Sequence, residues 1–342
     1  LDRKAWLLKH IDPATAGIEV APYFNPILAK RDGHPVLILD VFDTETLRRN
    51  AAKDPHIPKH RIDEIEAVDI VTDASAIGEA VLQLGRQGQF QYILSSHNFE
   101  HLPNPIRFLQ GCSVALAPGG VVSMAVPDGR ACLDIFRMPT RLSDWLNAYH
   151  RNQDQPSPES IFDFRINYAQ FYHDGRPQTG CDISRDDPSG FRPENDLSAA
   201  YAEYLMRIGS PQPYLDTHCT VTFGAALENM LWDLRFLGLI DLDIIEVTET
   251  RGLEFCVHLR KPVYAAPLDQ KEFYAARAQR LHQIARSLGT AGYRMYGPGQ
   301  FKGMPVLKRL TLGTKRALRK VVPERLYTSV RTWNRRRKGR RT

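Results

Sequence analysis

Seven short β-branched or apolar runs, most of them trailed by a stretch of helical character, leave few folds open to this chain. They lie at 17–21 (GIEVA), 36–40 (VLILD), 67–73 (AVDIVTD), 91–97 (QYILSSH), 120–128 (GVVSMAVPD), 241–250 (DLDIIEVTET) and 254–262 (EFCVHLRKP). Such alternation is the mark of βαβ units around a largely parallel sheet. Helices are expected at TETLRRNAAK, IRFLQGCSVAL and AALENMLWDLRFLGL. Only Arg251, Gly252 and Leu253 separate the last two runs, too few for a parallel crossover, so that pair must be an antiparallel hairpin.

The length of 342 residues and a hydrophobic share of 43% suit a packed globular enzyme and exclude a disordered chain. The five cysteines include no C-x-x-C pair, which argues against a disulfide framework and a cysteine zinc site and fits a reducing cytosol. No apolar run reaches membrane-spanning length, and LDRKAWLLKHIDP is charged where a secretion signal needs an apolar core. Residues 302–342 hold 15 of the 45 basic residues and one of the 39 acidic ones, so a mildly acidic body carries a strongly basic tail.

Ligands of parallel α/β sheets bind outside the carboxyl ends of the strands. Those ends carry Glu19 with Ala21 and Pro22, then Asp40, Asp73, Ser96 with His97, and finally Asp128. Acids at neighbouring strand tips suit a nucleoside, whose ribose hydroxyls a carboxylate accepts; singly, each is also an ordinary helix cap. The stretch SSHNFEHLPNPIRFL raises a separate question, because His97, Glu100 and His101 form H-x-x-E-H, the spacing of a zinc-peptidase helix. Pro103 and Pro105 just downstream oppose that helical geometry, and no metal site is expected.

The ordered blocks GIEVAP, LILDVFD, VDIVTDAS and FQYILSSHNFEHLPNPIRFLQGCSVALAPGGVVSMAVPD resemble class I S-adenosylmethionine-dependent methyltransferases over about residues 17–262, and the closing hairpin matches that fold. GIEVAPYFNPI with PDGRACLDIFRMPT resembles a type 11-like branch often encoded near bacterial glycosyltransferase and surface-polysaccharide genes. The resemblance implies an α/β, Rossmann-like, seven-stranded sheet with an antiparallel last strand. It also implies S-adenosylmethionine as cofactor. Asp40 would hold the ribose hydroxyls, Asp73 and Ala74 the adenine, Glu19, Ala21 and Pro22 the methionine end, and Ser96 and His97 the region near the sulfonium. The sequence departs from the family at the first motif, where Ala21 stands in place of a usual glycine and none follows until Gly33. A hydroxyl acceptor would need a base, for which His97, His101, His218 and Asp128 are the candidates.

The chain divides into a cofactor-binding part (1–128), an insertion (129–217), the completion of the sheet (218–262), a helix and connector (263–300) and a basic amphipathic tail (301–342). The insertion is too long for an ordinary loop and reads as a lid over the acceptor. Its Tyr168, Phe171, Tyr172 and Phe191 would stack on sugar faces or form a small core of their own. Arg130 and Arg137 would meet an acidic acceptor or form ion pairs. The tail's apolar stripes flanked by Arg and Lys suit an anionic membrane surface. The expected activity is methyl transfer to a carbohydrate or lipid-linked glycan at the inner membrane face of the cytoplasm. The rivals are a catalytically silent scaffold and a nucleic-acid methyltransferase. Nucleic acid is the weaker partner, because the body is acidic and no N-P-P-Y-type motif follows the fourth strand.

Overall fold

A computed structural model describes residues 2–295, apart from 56 and 265. The basic tail expected at 301–342 lies outside these residues. In chain order the elements begin with α1 (Arg3–Leu7), β1 (Gly17–Val20), β2 (Val36–Asp40), α2 (Thr44–Lys53), β3 (Ile70–Val71), α3 (Ile77–Gln83), β4 (Phe90–Ser96), α4 (Pro105–Ala115) and β5 (Leu116–Pro127). The intervening segment holds α5 (Leu142–His150), α6 (Pro158–Asn167), the short strands β6 (Ala169–His173), β7 (Arg176–Gln178) and β8 (Phe191–Pro193), and α7 (Leu197–Gly209). The chain then returns through α8 (Gly224–Phe236), β9 (Asp243–Val247), β10 (Glu254–Arg260) and α9 (Gln270–Met295).

All seven expected strands join one sheet in the order β3-β2-β1-β4-β5-β10-β9. β1 to β5 run parallel, and β10 lies antiparallel to both β5 and β9. This is the Rossmann-like class I methyltransferase sheet that the sequence led us to expect. One strand is much shorter than expected, and the cause is local. The Asp69 carboxylate takes the backbone N–H of Ile38 at 2.7 Å, so β3 pairs with β2 only at Ile70 and Val71.

The core lies on both faces of the sheet. On one face Ile18, Val20, Ile93, Val122 and Met124 pack with α3, α4 and α8; on the other, Ile38, Tyr92 and Leu94 pack with Trp6 and Leu7 of α1. Helices α3 and α4 approach without side chains between them: a Cβ on Gly78 would lie 2.8 Å from Gly111 Cα. α9 docks on α8 through the stacked rings of Phe236 and Phe273, 3.9 Å apart, and through Arg277 on Asp233.

The insertion has its own antiparallel sheet, β7-β6-β8, and its own small core of Ala131, Ala169, Phe171, Cys181 and Phe191. Phe171 and Phe191, with centroids 4.8 Å apart, are therefore packed inward rather than available for stacking on a sugar.

Candidate functional site

The carboxyl ends of β1, β2, β3 and β4 converge on one cavity of about 400 Å³, a volume in the range of small-molecule sites. Val20 and Ala21, then Leu39 and Asp40, then Asp73 and Ala74, then His97, Asn98, His101 and Leu102 line it. Val41 and Phe42 close one side, and Tyr214 and Asp216 arrive from the end of the insertion.

The strand tips are shaped by backbone conformations that side chains disfavour. Ala21 at the end of β1 has φ +47° and His97 at the end of β4 has φ +50°. Left-handed backbone costs roughly 1–2 kcal/mol for an L-residue. Both strained residues line the cavity, where strain tends to persist for function. Ala21 thus adopts the conformation that a glycine would supply freely.

Asp40 is buried at the cavity wall and accepts the N–H of Phe42 at 3.0 Å. Among the described residues no cation pairs with it, and burial raises its pKa against the opposing hydrogen bonds from Phe42 and Val41. A buried carboxylate in this state is well served by neutral hydroxyl donors, such as those of a ribose. Asp73 both lines the cavity and caps the turn after β3, accepting the Ser75 N–H at 2.8 Å.

Four expected contributors are placed elsewhere. Glu19 is not a cavity residue: Ile27 and Leu28 donate their N–H groups to its two oxygens at 2.7 and 3.0 Å, so it shapes the turn beneath the site. Burial raises its pKa to about 7 despite these bonds. Pro22 lies outside the lining, and the Ser96 hydroxyl accepts from Arg3 at 2.7 Å. Asp128 is fully buried, held bidentately by Arg130 at 2.9 and 2.6 Å and by the Thr250 hydroxyl, which removes it from the candidate bases. Arg130 is thereby consumed, and Arg137 is likewise held by Asp134 and Asp163.

The three histidines have different surroundings. His97 Nε2 donates to Glu254 at 2.7 Å and its Nδ1 lies 3.6 Å from Glu100. Burial alone would depress its pKa, but the nearby carboxylates of Glu100 and Glu254 outweigh burial and raise it to about 9. His97 is therefore a cation near neutral pH and a poor base. His101 lines the cavity with Nδ1 on Asp216 at 2.8 Å; burial is again outweighed by the carboxylates, and its pKa is raised. His218 stands behind it, ring to ring at 4.6 Å, with Nδ1 on Asp134 at 2.6 Å. The histidines of H-x-x-E-H thus point apart, and the peptidase helix is not formed: Glu100 and His101 belong to a 3-10 turn, Phe99–His101.

Sequence reasoning did not single out Tyr214, Asp216, Asp134 or Glu254. Asp216 carried a signal in its spacing, two residues before His218, whereas Glu254 and Asp134 are brought in by tertiary contacts alone.

No family model matches the chain, and no curated protein matches it. Solved structures similar to it include a SAM-dependent methyltransferase from Methanosarcina mazei, 15% identical, covering 75% of this chain and 96% of that one with a TM-score of 0.36. Another is an S-adenosylmethionine-dependent methyltransferase from Mesorhizobium loti, 13% identical, covering 76% and 98% with a TM-score of 0.35. A third, described as a Zn-dependent alcohol dehydrogenase from Rhodobacter sphaeroides, is 12% identical and covers 76% and 89% with a TM-score of 0.40. With similarity this distant, the fold assignment rests on the strand order itself.

Proposed function

We propose that the chain binds S-adenosylmethionine in this cavity and catalyses methyl transfer to a hydroxyl of a carbohydrate or lipid-linked glycan. One observation carries the reading: Ala21, Asp40, Asp73 with Ala74, and His97, from the tips of four strands, face a single cavity. Asp40 would accept the ribose hydroxyls, Ala74 and the apolar wall of Phe42 and Leu102 would enclose the adenine, and the turn at Ala21 would approach the methionine end. The cofactor supplies an activated methyl group, so the protein's part is alignment and exclusion of water. Tyr214, Asp216 and His101, which also line the cavity, present polar groups suited to a hydroxyl-rich acceptor.

Calorimetric titration of the full chain with S-adenosylhomocysteine tests the reading. Micromolar binding by the native chain, lost in Asp40→Ala, supports it. No binding by a folded chain rejects it in favour of the silent scaffold, to which the glycine-free first turn would belong. Among the described residues no helix is long and apolar enough to cross a membrane. We place the acceptor at an anionic membrane surface reached by residues 301–342. Sedimentation with phosphatidylglycerol vesicles, lost at high salt and on removal of those residues, is the expected result.

A further inference from the structure

Behind the cavity wall, Glu100, His101 and His218 each offer a ligand atom, and these atoms lie within 4.8 Å of one another. Although His218 is more than a hundred residues from Glu100 in sequence, their placement is fixed by backbone bonding. The N–H groups of Cys219 and Thr220 donate to the Glu100 carbonyl at 2.7 and 2.9 Å.

Both imidazoles are oriented in the same way. His101 Nδ1 is bonded to Asp216 and His218 Nδ1 to Asp134, at 2.8 and 2.6 Å. A carboxylate can only accept, so each Nδ1 carries the proton and each Nε2 is left as the prospective ligand, the arrangement common to metal-bound histidines. Asp134 is itself braced by Arg137 at 2.8 Å. Glu100 is 1% exposed, and its buried Oε2 has no hydrogen-bond partner among the described residues. Its Oε1 lies 3.8 Å from His101 Nε2. A buried carboxylate oxygen with no donor is expensive, and a bound cation would satisfy it.

We propose that Glu100, His101 and His218 bind one divalent first-row transition metal ion, with zinc the best match to two imidazoles and one carboxylate. Three protein ligands leave a coordination position open, and His101 lies on the cavity side. If the methyl-transfer reading holds, an acceptor hydroxyl on that ion would lose its proton readily. The metal site itself does not depend on that reading. His10, Glu246 and His258 form a second cluster of ligand type, but Glu246 is already engaged by the Lys9 ammonium at 2.6 Å, which would compete with an ion.

The full chain, stripped with chelator, is titrated with zinc by calorimetry and with cobalt by visible absorption. One equivalent is expected to bind at micromolar concentration or tighter, with a cobalt spectrum of a low-coordinate nitrogen and oxygen site. Glu100→Gln and His218→Asn should each weaken binding by about 100-fold or more, and Asp134→Asn by about 10–100-fold. The double variant His10→Asn/His258→Asn should bind as the native chain does. Absence of stoichiometric binding by a folded chain overturns the proposal, as does unchanged affinity in Glu100→Gln and His218→Asn, or loss confined to the His10/His258 variant. If the buried substitutions prevent folding, Asp216→Asn, on an exposed side chain, decides: weaker binding supports the site and native affinity overturns it. S-adenosylhomocysteine titration of the same samples reports separately on the cofactor cavity.

Discussion

His97 Nε2 lies 2.7 Å from Glu254 Oε2, while Arg3 Nε holds the other oxygen of the same carboxylate at 2.6 Å. The tip of β4, the start of β10 and the N-terminal helix thus share one carboxylate, which burial would render less acidic but which the bonds from His97 and Arg3 hold at about 2. Glu254→Gln should lower the His97 pKa from about 9 towards its ordinary 6.5, read by imidazole NMR against pH. His97 is protonated more readily in the folded state, so its contribution is full below the unfolded pKa and fades as pH rises through about 9. The stability cost of Glu254→Gln, about 2 kcal/mol after allowing for the partial exposure of His97, should therefore be larger at neutral pH than at pH values above 9.

Asp40 should separate stability from function. Because it is buried and, among the described residues, no cation pairs with it, its neutral isostere gives up no ion pair there. Asp40→Asn should leave the melting temperature unchanged or raise it, while S-adenosylhomocysteine affinity falls by about tenfold or more. A fall in stability with affinity intact would make Asp40 a structural residue.

Ala21→Gly should relieve the left-handed backbone at the end of β1. The expected gain is up to about 1 kcal/mol in denaturant unfolding, net of the greater freedom of glycine in the unfolded chain. A loss of stability would show that the Ala21 methyl group packs usefully despite its φ of +47°.

Two buried groups give opposite pH dependences. Burial, assisted by the charge of His10, depresses His258 to about 4, so the unfolded chain binds the extra proton first and stability falls as pH drops below 6.5 towards 4. Glu19, raised to about 7, keeps its proton longer in the folded state, so its contribution is full below 4.5 and is lost as pH rises through about 7. His258→Phe should flatten the acid limb, worth on the order of 3 kcal/mol, and Glu19→Gln the neutral limb. Chemical denaturation of each variant between these limits distinguishes the two.

The sheet was legible because its strands are concentrated apolar runs bounded by turns; Val36–Asp40 and Thr44–Lys53 are found at the bounds expected for them. β3 was overdrawn because a side-chain bond from Asp69 replaces ladder pairing, which no propensity registers. The approach of Gly78 to Gly111 was invisible, since neither glycine marks a turn. At the site, position along a strand identified Ala21, Asp40, Asp73 and His97 as residues at the cavity, and the family resemblance added Ala74, but strand position misplaced Glu19. An inward-facing residue one step before the tip bonds the following turn instead of the cavity. The environment of His97 was beyond reach, because its hydrogen-bond partner Glu254 lies 157 residues away in the sequence and is brought to it across β5.

Strand β5 pairs with β4 on one side and with β10 on the other, Val126 opposite Phe255. During synthesis, therefore, β5 emerges with a bare edge that remains open while the whole insertion and α8 are made, on the order of ten seconds at ordinary elongation rates. That edge is apolar and long enough to recruit a neighbouring nascent chain. Pauses within the insertion would then lengthen the time for which that edge stays open and lower the yield in a cell.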